Sequence, residues 1–245
     1  MSVDTRWDAG VLTLRLQEVD SRNALDLSTV AGLRAALATA KASESLRLAV
    51  LESGVDRVFS LGMNLQKFAS HEADGAWDIF GAVSEYAELL IDIASMPVPT
   101  LAVVDGVAAA GGVELACVCD TIIGTENASF SIAQLRKGIF PFLTSAVVVP
   151  RIGQGAFLHW ALTGRTLAAK QLFNLGLIHQ LCAAKERDRT VSLFSERVVS
   201  FDPQTVKAGI AGLRAEAEAA TRGRIRHAMA LFSLNCLALK QKAVR

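Results

Sequence analysis

Strand-like and helix-like runs alternate over the first two thirds of the chain, and from about residue 142 helix follows helix. Together these patterns predict an α/β core with a C-terminal helical subdomain. The length, 245 residues, and an ordinary composition of 51% AVILMFWYC and 20% charged residues are enough for a sizeable buried core.

In chain order, Val11 to Leu16 alternates apolar and polar with period two, as a half-buried strand does. Asp26 to Ala42 places Leu27, Val30, Leu33, Leu37 and Ala40 on one face at helical spacing. Leu46 to Leu51 and Thr100 to Val104 are short apolar runs with polar or Gly boundaries, which reads as buried strands. Between them, Asp74 to Ser95 carries Ile79, Val83, Tyr86, Leu90 and Ile93 on one helical stripe. Ala146 to Thr163, Ala168 to Leu175, Lys185 to Ser200, Pro203 to Thr221 and Arg224 to Lys242 are rich in helix formers, with Pro203 suited to a helix start. No internal repeat or low-complexity linker interrupts the chain.

A formal charge of +1 supplies no broad field for nucleic acid or anionic lipid. Cys117, Cys119, Cys182 and Cys236 are too few for a stapled scaffold and lack zinc spacing, so buried reduced thiols are expected, with no metal. The first ten residues carry Asp4, Arg6 and Asp8 and no apolar run, so the cytoplasm is the expected location. Val98 to Cys119 is apolar, but Asp105, Glu114 and its glycines make it a buried strand feeding a buried helix rather than a membrane span. Neither Gly-x-Ser-x-Gly nor a phosphate-binding glycine motif occurs, which sets aside serine hydrolases and nucleotide-binding domains.

Two glycine turns carry the chemistry. Asp105 to Ala116 reads as a strand end, a turn of small residues and a helix starting near Gly111, whose unpaired NH groups and positive dipole end suit an anion or oxyanion; the same small residues also suit plain close packing. Glu114 follows one turn along. Arg57 to Leu65 is an apolar strand running into a turn at Gly62 that can expose a backbone NH.

In this order the two segments resemble the Phe-Cys-Ala-Gly-Ala-Asp-Leu and Asn-Gly-x-Ala-x-Gly-Gly-Gly-x-Glu-Leu loops of the enoyl-CoA hydratase/isomerase (crotonase) superfamily. Asn23-Ala24-Leu25, Ala128-Ser129-Phe130, Gly138-Ile139-Phe140-Pro141, Leu162-Thr163-Gly164 and Gly176-Leu177-Ile178 extend the resemblance over nearly the whole chain. It implies a spiral of ββα turns over residues 1–190 and a helical region at 191–245 that builds a homotrimer or hexamer. It also implies an acyl-CoA substrate, with no cofactor beyond that substrate's own coenzyme A and no nucleic acid or membrane partner.

Carried over, the resemblance puts the oxyanion hole on the backbone NH groups of Leu61 and Gly111, and the first catalytic carboxylate on Glu114. The second carboxylate falls on Gln134, an amide that orients water but does not take a proton near neutral pH. Substrate contacts fall on Arg22, Ala24, Gly62, Met63, Asn64, Leu65, Lys67, Gly112 and Phe140, with Trp77, Phe80 and Phe142 as further pocket walls. Lys67 and His227 are candidates for a charged contact, each set against an ordinary surface role; His71, His159 and His179 have no recognisable partner. A carrier-protein-linked dehydratase or decarboxylase, and a catalytically weak binding homologue, are the alternative readings.

Overall fold

The computed structural model describes residues 2–64 and 76–243. Leu65, Lys67 and His71 lie outside the described residues, as do the first two residues of the helix expected from Asp74. The elements are β1 (Val3–Asp8), β2 (Val11–Leu16), β3 (Ala24–Leu25), α1 (Leu27–Lys41), β4 (Leu48–Ser53), β5 (Val58–Ser60), β6 (Gly62–Met63), α2 (Ala76–Ala94), β7 (Thr100–Val104), β8 (Val107–Ala109) and α3 (Gly111–Val118). They continue with β9 (Thr121–Thr125), β10 (Ser129–Ser131), α4 (Phe142–Thr163), β11 (Thr166–Ala168), α5 (Ala169–Asn174), β12 (Gln180–Cys182), α6 (Arg187–Ser200), α7 (Pro203–Ala215) and α8 (Ala217–Ala243).

One sheet runs β1-β2-β4-β7-β9-β12 and a second runs β11-β10-β8-β5. Strands β4, β7 and β9 are parallel neighbours in the first, while β5, β8 and β10 are parallel neighbours in the second. Each successive turn of chain therefore adds one strand to each sheet and then a helix, which is the ββα spiral. Strands β3 and β6 form a separate short parallel pair.

The central strands β4, β7 and β9 of the first sheet are buried on both faces, so they are largely apolar rather than alternating. Leu12, Leu14 and Leu16 point to the main core with Val30, Leu33 and Leu37 of α1. Leu48, Val50, Leu101, Val103 and Ile123 point the other way, under Val191, Phe194 and Val198 of α6. Glu52 fixes α6 to this sheet, meeting Arg15 at 2.9 Å and Arg187 at 2.6 Å.

Several boundaries differ from the sequence reading. The strand expected at Leu46 begins at Leu48, because Leu46 and Arg47 are spent on turn bonds to Ser43 and Gly10. Helix α4 begins at Phe142, directly after Pro141, and is broken at Gly153 (φ 79°), with Pro150 one turn before. The helix expected over Pro203–Thr221 ends at Ala215, and α8 begins two residues later. At the start of α7, Asp202 caps by accepting from the Thr205 amide and hydroxyl, both at 2.7 Å.

Helix α8 folds back on its own chain, packing along α2 and α4 with Ile225, Ala228, Met229 and Phe232 buried. Arg226 reaches Glu88 of α2 at 2.9 Å. Much of the apolar tail that suggested an oligomer is thus covered within one chain, while Leu213 (79% exposed) and Leu234 (62%) remain open.

Candidate active site

The site is built where β5, β6 and α3 meet. Helix α3 is buried along its whole length and starts after Ala110, whose backbone is strained at φ 48°. Its first residues lie directly on the other glycine turn: a Cβ added to Gly62 would stand 2.4 Å from Gly111 N, and one added to Gly112 would stand 2.1 Å from Ser60 O. No side chain fits either position, so the glycines are dictated by the close approach of two backbones.

Ser60 sets the turn. Its buried hydroxyl donates to Asn23 O at 2.7 Å and accepts from Gly62 N at 3.0 Å. Asn23 is itself buried. It accepts from Glu18 N at 2.8 Å and donates to Ser53 Oγ and Phe59 O at 2.8 and 3.0 Å, so the Asn-Ala-Leu motif is a clamp that holds the loop before α1 against β5.

The turn approaches Gly111 closely: Gly62 Cα and Met63 N lie 3.0 and 3.1 Å from where a Gly111 Cβ would be. Asn64 N donates to Leu25 O at 2.8 Å across the β3–β6 pair, in which Leu25 faces Met63. Adjacent residues of such a ladder direct their amides to opposite sides, so the Met63 NH faces away from β3 and toward α3. Gly62 and Met63 are thus the residues of the glycine turn that come nearest to Gly111. Ala24 lies opposite Gly62 in the same pair, and Arg22 is on the exposed loop beside Asn23.

Glu114 stands three residues after Gly111 on the same face of α3 and is 4% exposed. Burial pushes its carboxyl up to about 7, opposed by the hydrogen bond from Thr144 and by the nearby Tyr86 hydroxyl. Thr144 Oγ1 of α4 donates to Glu114 Oε1 at 2.7 Å and receives Gln134 Nε2 at 3.2 Å. The other end of the amide, Gln134 Oε1, is buried and has no partner among the described residues. Tyr86 of α2 donates to Gly111 O at 2.7 Å, and burial next to Glu114 holds its own hydroxyl well above the ordinary tyrosine range.

Phe140 follows Gln134 in the chain, its ring centroid 4.9 Å from that of Phe142 in a tilted pair and 6.4 Å from that of Phe157 edge-on. Its amide donates to Asn235 Oδ1 of α8 at 3.0 Å, and Leu239 of α8 sits against Gly138. The tail of the same chain therefore packs on the segment between Gln134 and α4. His227 is exposed on the outer side of α8. His179 does have partners, contrary to the sequence reading: its Nδ1 accepts from Ile122 N at 2.9 Å, and burial and the nearby Arg151 lower its pKa. None of the four cysteines forms a disulfide among the described residues; Cys117 and Cys119 are buried, with thiols pushed up to about 12.

A separate cavity of about 200 Å³ lies at the far end of α3, lined among others by Cys117, Pro150, Arg151, Arg214 and Thr221. There Arg214 pairs with Asp120 and Arg151 caps Cys119 O, so both cations are engaged with the protein.

The enoyl-CoA hydratase/isomerase family model matches residues 6–236. The chain belongs to the enoyl-CoA hydratase/isomerase (crotonase) family. Among relatives, it is 28% identical over 206 residues to the mitochondrial enoyl-CoA hydratase domain-containing protein 3 of Danio rerio, covering 84% of this chain and 70% of that protein. It is 27% identical over 197 residues to the mitochondrial methylglutaconyl-CoA hydratase of Homo sapiens, covering 80% and 57%. It is 28% identical over 187 residues to the carnitinyl-CoA dehydratase of Salmonella typhi, covering 76% and 70%.

The family fold is equally plain. An enoyl-CoA hydratase of Bacillus halodurans superposes with a TM-score of 0.89 at 21% identity, covering 96% of this chain and 95% of that one. One from Mycobacterium avium subsp. paratuberculosis K-10 gives 0.85 at 23%, covering 96% and 90%. At these identities the likeness speaks for the fold. Among the described residues no helix is long and apolar enough to cross a membrane, and the stretch Val98 to Cys119 is resolved into β7, β8 and α3.

Proposed function

We propose that this chain acts on acyl-CoA thioesters, moving a proton to and from carbon next to the thioester carbonyl. The observation that carries the reading is a buried carboxylate with its pKa raised to about 7, one helical turn from the amide that opens α3. A general base works best with a pKa near the operating pH. The amides of Met63 and Gly111 are the donors to the thioester oxygen as it becomes enolate-like, an interaction in which each donor is typically worth ~2.7–4 kcal/mol. Leu61 supplies the turn but not the donor.

Glu114 then takes a proton at one carbon and returns it at another. With Gln134 in place of a second acid, one group does both transfers, which suits migration of a double bond along the acyl chain. Arg22 and Lys67 are assigned to coenzyme A phosphates, Ala24, Gly62, Asn64, Leu65 and Gly112 to the thioester arm, and Phe140 to the acyl wall. The reading includes a cytoplasmic homotrimer or hexamer, with Leu213 and Leu234 among the apolar groups left for contact between copies.

Hydration or dehydration is the second reading. It is favoured by the buried, unpartnered Gln134 Oε1, an acceptor suited to a water or a substrate hydroxyl, and relatives bear the names of a hydratase and a dehydratase. The test is proton NMR in D₂O with purified protein and a panel of 2-enoyl-, 3-enoyl- and carboxylated acyl-CoAs, with the matching carrier-protein thioesters alongside. Double-bond migration with deuterium incorporation is expected. Absence of turnover and of exchange across the panel would overturn the reading.

A further inference from the structure

The chain of hydrogen bonds from Gln134 through Thr144 to Glu114 has a fixed direction. Thr144 has one hydroxyl hydrogen, and a bond to an ionised carboxylate is roughly twice as strong as one to a neutral acceptor. That hydrogen therefore goes to Glu114 Oε1, at 2.7 Å. The Thr144 oxygen is left as an acceptor, and the group facing it at 3.2 Å must be a donor: the NH₂ of Gln134. Among the described residues no cation pairs with Glu114. The groups that face it are Tyr86 from α2, Thr144 from α4 and, one turn along α3 itself, the thiol of Cys117.

We propose that Thr144 and Gln134 are a matched pair of positioning residues for Glu114, fixing Oε1 as the bonded oxygen and leaving Oε2 to take and return the substrate proton. The role assigned to Oε2 rests on the acyl-CoA reading; the pairing itself does not. A carboxylate at position 134 does not fit this arrangement. It has no hydrogen to offer Thr144, competes with Glu114 for the single hydroxyl hydrogen, and adds a like charge that raises the pKa of one of the two acids. The amide at 134 is thus the complement of the hydroxyl at 144, and replacing it by glutamate alone impairs Glu114 instead of restoring a two-carboxylate site.

The pairing is tested in the free protein, without substrate, by ¹³C NMR titration of labelled glutamate side chains, with the Glu114 signal assigned by its loss in Glu114→Gln. Thr144→Val keeps the shape of the side chain and removes the hydrogen bond, and is expected to raise the Glu114 midpoint by about one unit, a tenfold change in ionised fraction. Thr144→Ser restores the wild-type midpoint. Gln134→Glu is expected to raise the midpoint as well, and adding it to Thr144→Val yields a change that differs from the sum of the two single changes. Thermal melts and circular dichroism of each variant establish that it folds. A midpoint unmoved in folded Thr144→Val, or strictly additive shifts in the double variant, would overturn the pairing. Shifts as expected in a protein that turns over no acyl thioester would retain the pairing and refute only the catalytic reading.

Discussion

The Tyr86 hydroxyl donates to Gly111 O at 2.7 Å and stands beside the carboxylate of Glu114. One phenol thus touches both ends of the first turn of α3, the residue that offers an amide to the site and the residue that offers an acid. Because α3 is wholly buried and begins from a strained Ala110, its orientation is set by such contacts and not by solvent-facing caps. The geometry between amide and carboxylate is consequently a property of the core, held by α2 from one side and by Thr144 of α4 from the other.

Glu114→Gln is expected to lower turnover by ~10²–10⁴-fold, the usual contribution of a general acid/base, and to stabilise the fold at alkaline pH. Folding raises the carboxyl from 4.5 to about 7, so stability is full below pH 4.5 and is lost as pH rises through 7. At 1.36 kcal/mol per unit the loss is roughly 3 kcal/mol. Urea denaturation at pH 5 and pH 8 checks this: the variant should gain over wild type at pH 8 and much less at pH 5. In wild type, kcat/KM should rise with pH through about 7, because the base form is the reactive one.

Ser60→Ala removes a hydroxyl that serves Asn23 O and Gly62 N together. Leaving buried partners unsatisfied costs about 1–3 kcal/mol. The turn that aims the Met63 amide also loses its anchor, and a misplacement of 1 Å at a reacting centre costs on the order of 10²-fold. Steady-state kinetics should therefore show kcat falling more than KM rises. A variant that melts lower but keeps wild-type kcat would separate the turn from catalysis.

The strands and helices that were legible are those with several repeats of their period. Val11 to Leu16 and Thr100 to Val104 are found where expected, and α1 lies within the expected Asp26 to Ala42. Strands of two or three residues, such as β3, β6, β10 and β11, carry no period, so the register of β3 on β6 could not be read. That register, with Met63 opposite Leu25, is what leads us to propose Met63 rather than Leu61 as the donor beside Gly111. Tyr86 was visible only as one more apolar position on a helical stripe, since a buried hydroxyl leaves no trace in periodicity. Thr144 lies two residues before the helix start expected at Ala146, whereas α4 starts at Phe142, directly after Pro141.

His179 predicts an acid sensitivity remote from the site. Its Nδ1 accepts from Ile122 N while its own amide donates to Ile122 O, pinning the segment before β12 to β9. Burial and Arg151 lower its pKa, so its contribution is present above 6.5 and is lost as pH falls through the lower folded value. His179→Ala should cost about 1 kcal/mol near pH 8, with the gap to wild type shrinking on acidification. Paired melts at pH 8 and pH 5 read it directly, and a gap that stays constant would show that the ring does not titrate against this bond.

Asn235 ties the tail to Phe140, the proposed acyl wall. Its Oδ1 accepts from Phe140 N at 3.0 Å and its Nδ2 donates to Gly138 O at 3.4 Å, and Gly138 in turn touches Leu239 one helical turn along α8. Asn235→Leu keeps the bulk and deletes both bonds, so Phe140 loses its backbone anchor while Glu114, Thr144 and the glycine turns are untouched. The expected result is a KM for long acyl chains raised several-fold, at about 1 kcal/mol per hydrogen bond lost, with kcat for the shortest acyl chain near wild type. An equal loss of kcat on all chain lengths would instead mean that α8 supports the acid/base group, through the α4 surface it shares with Thr144.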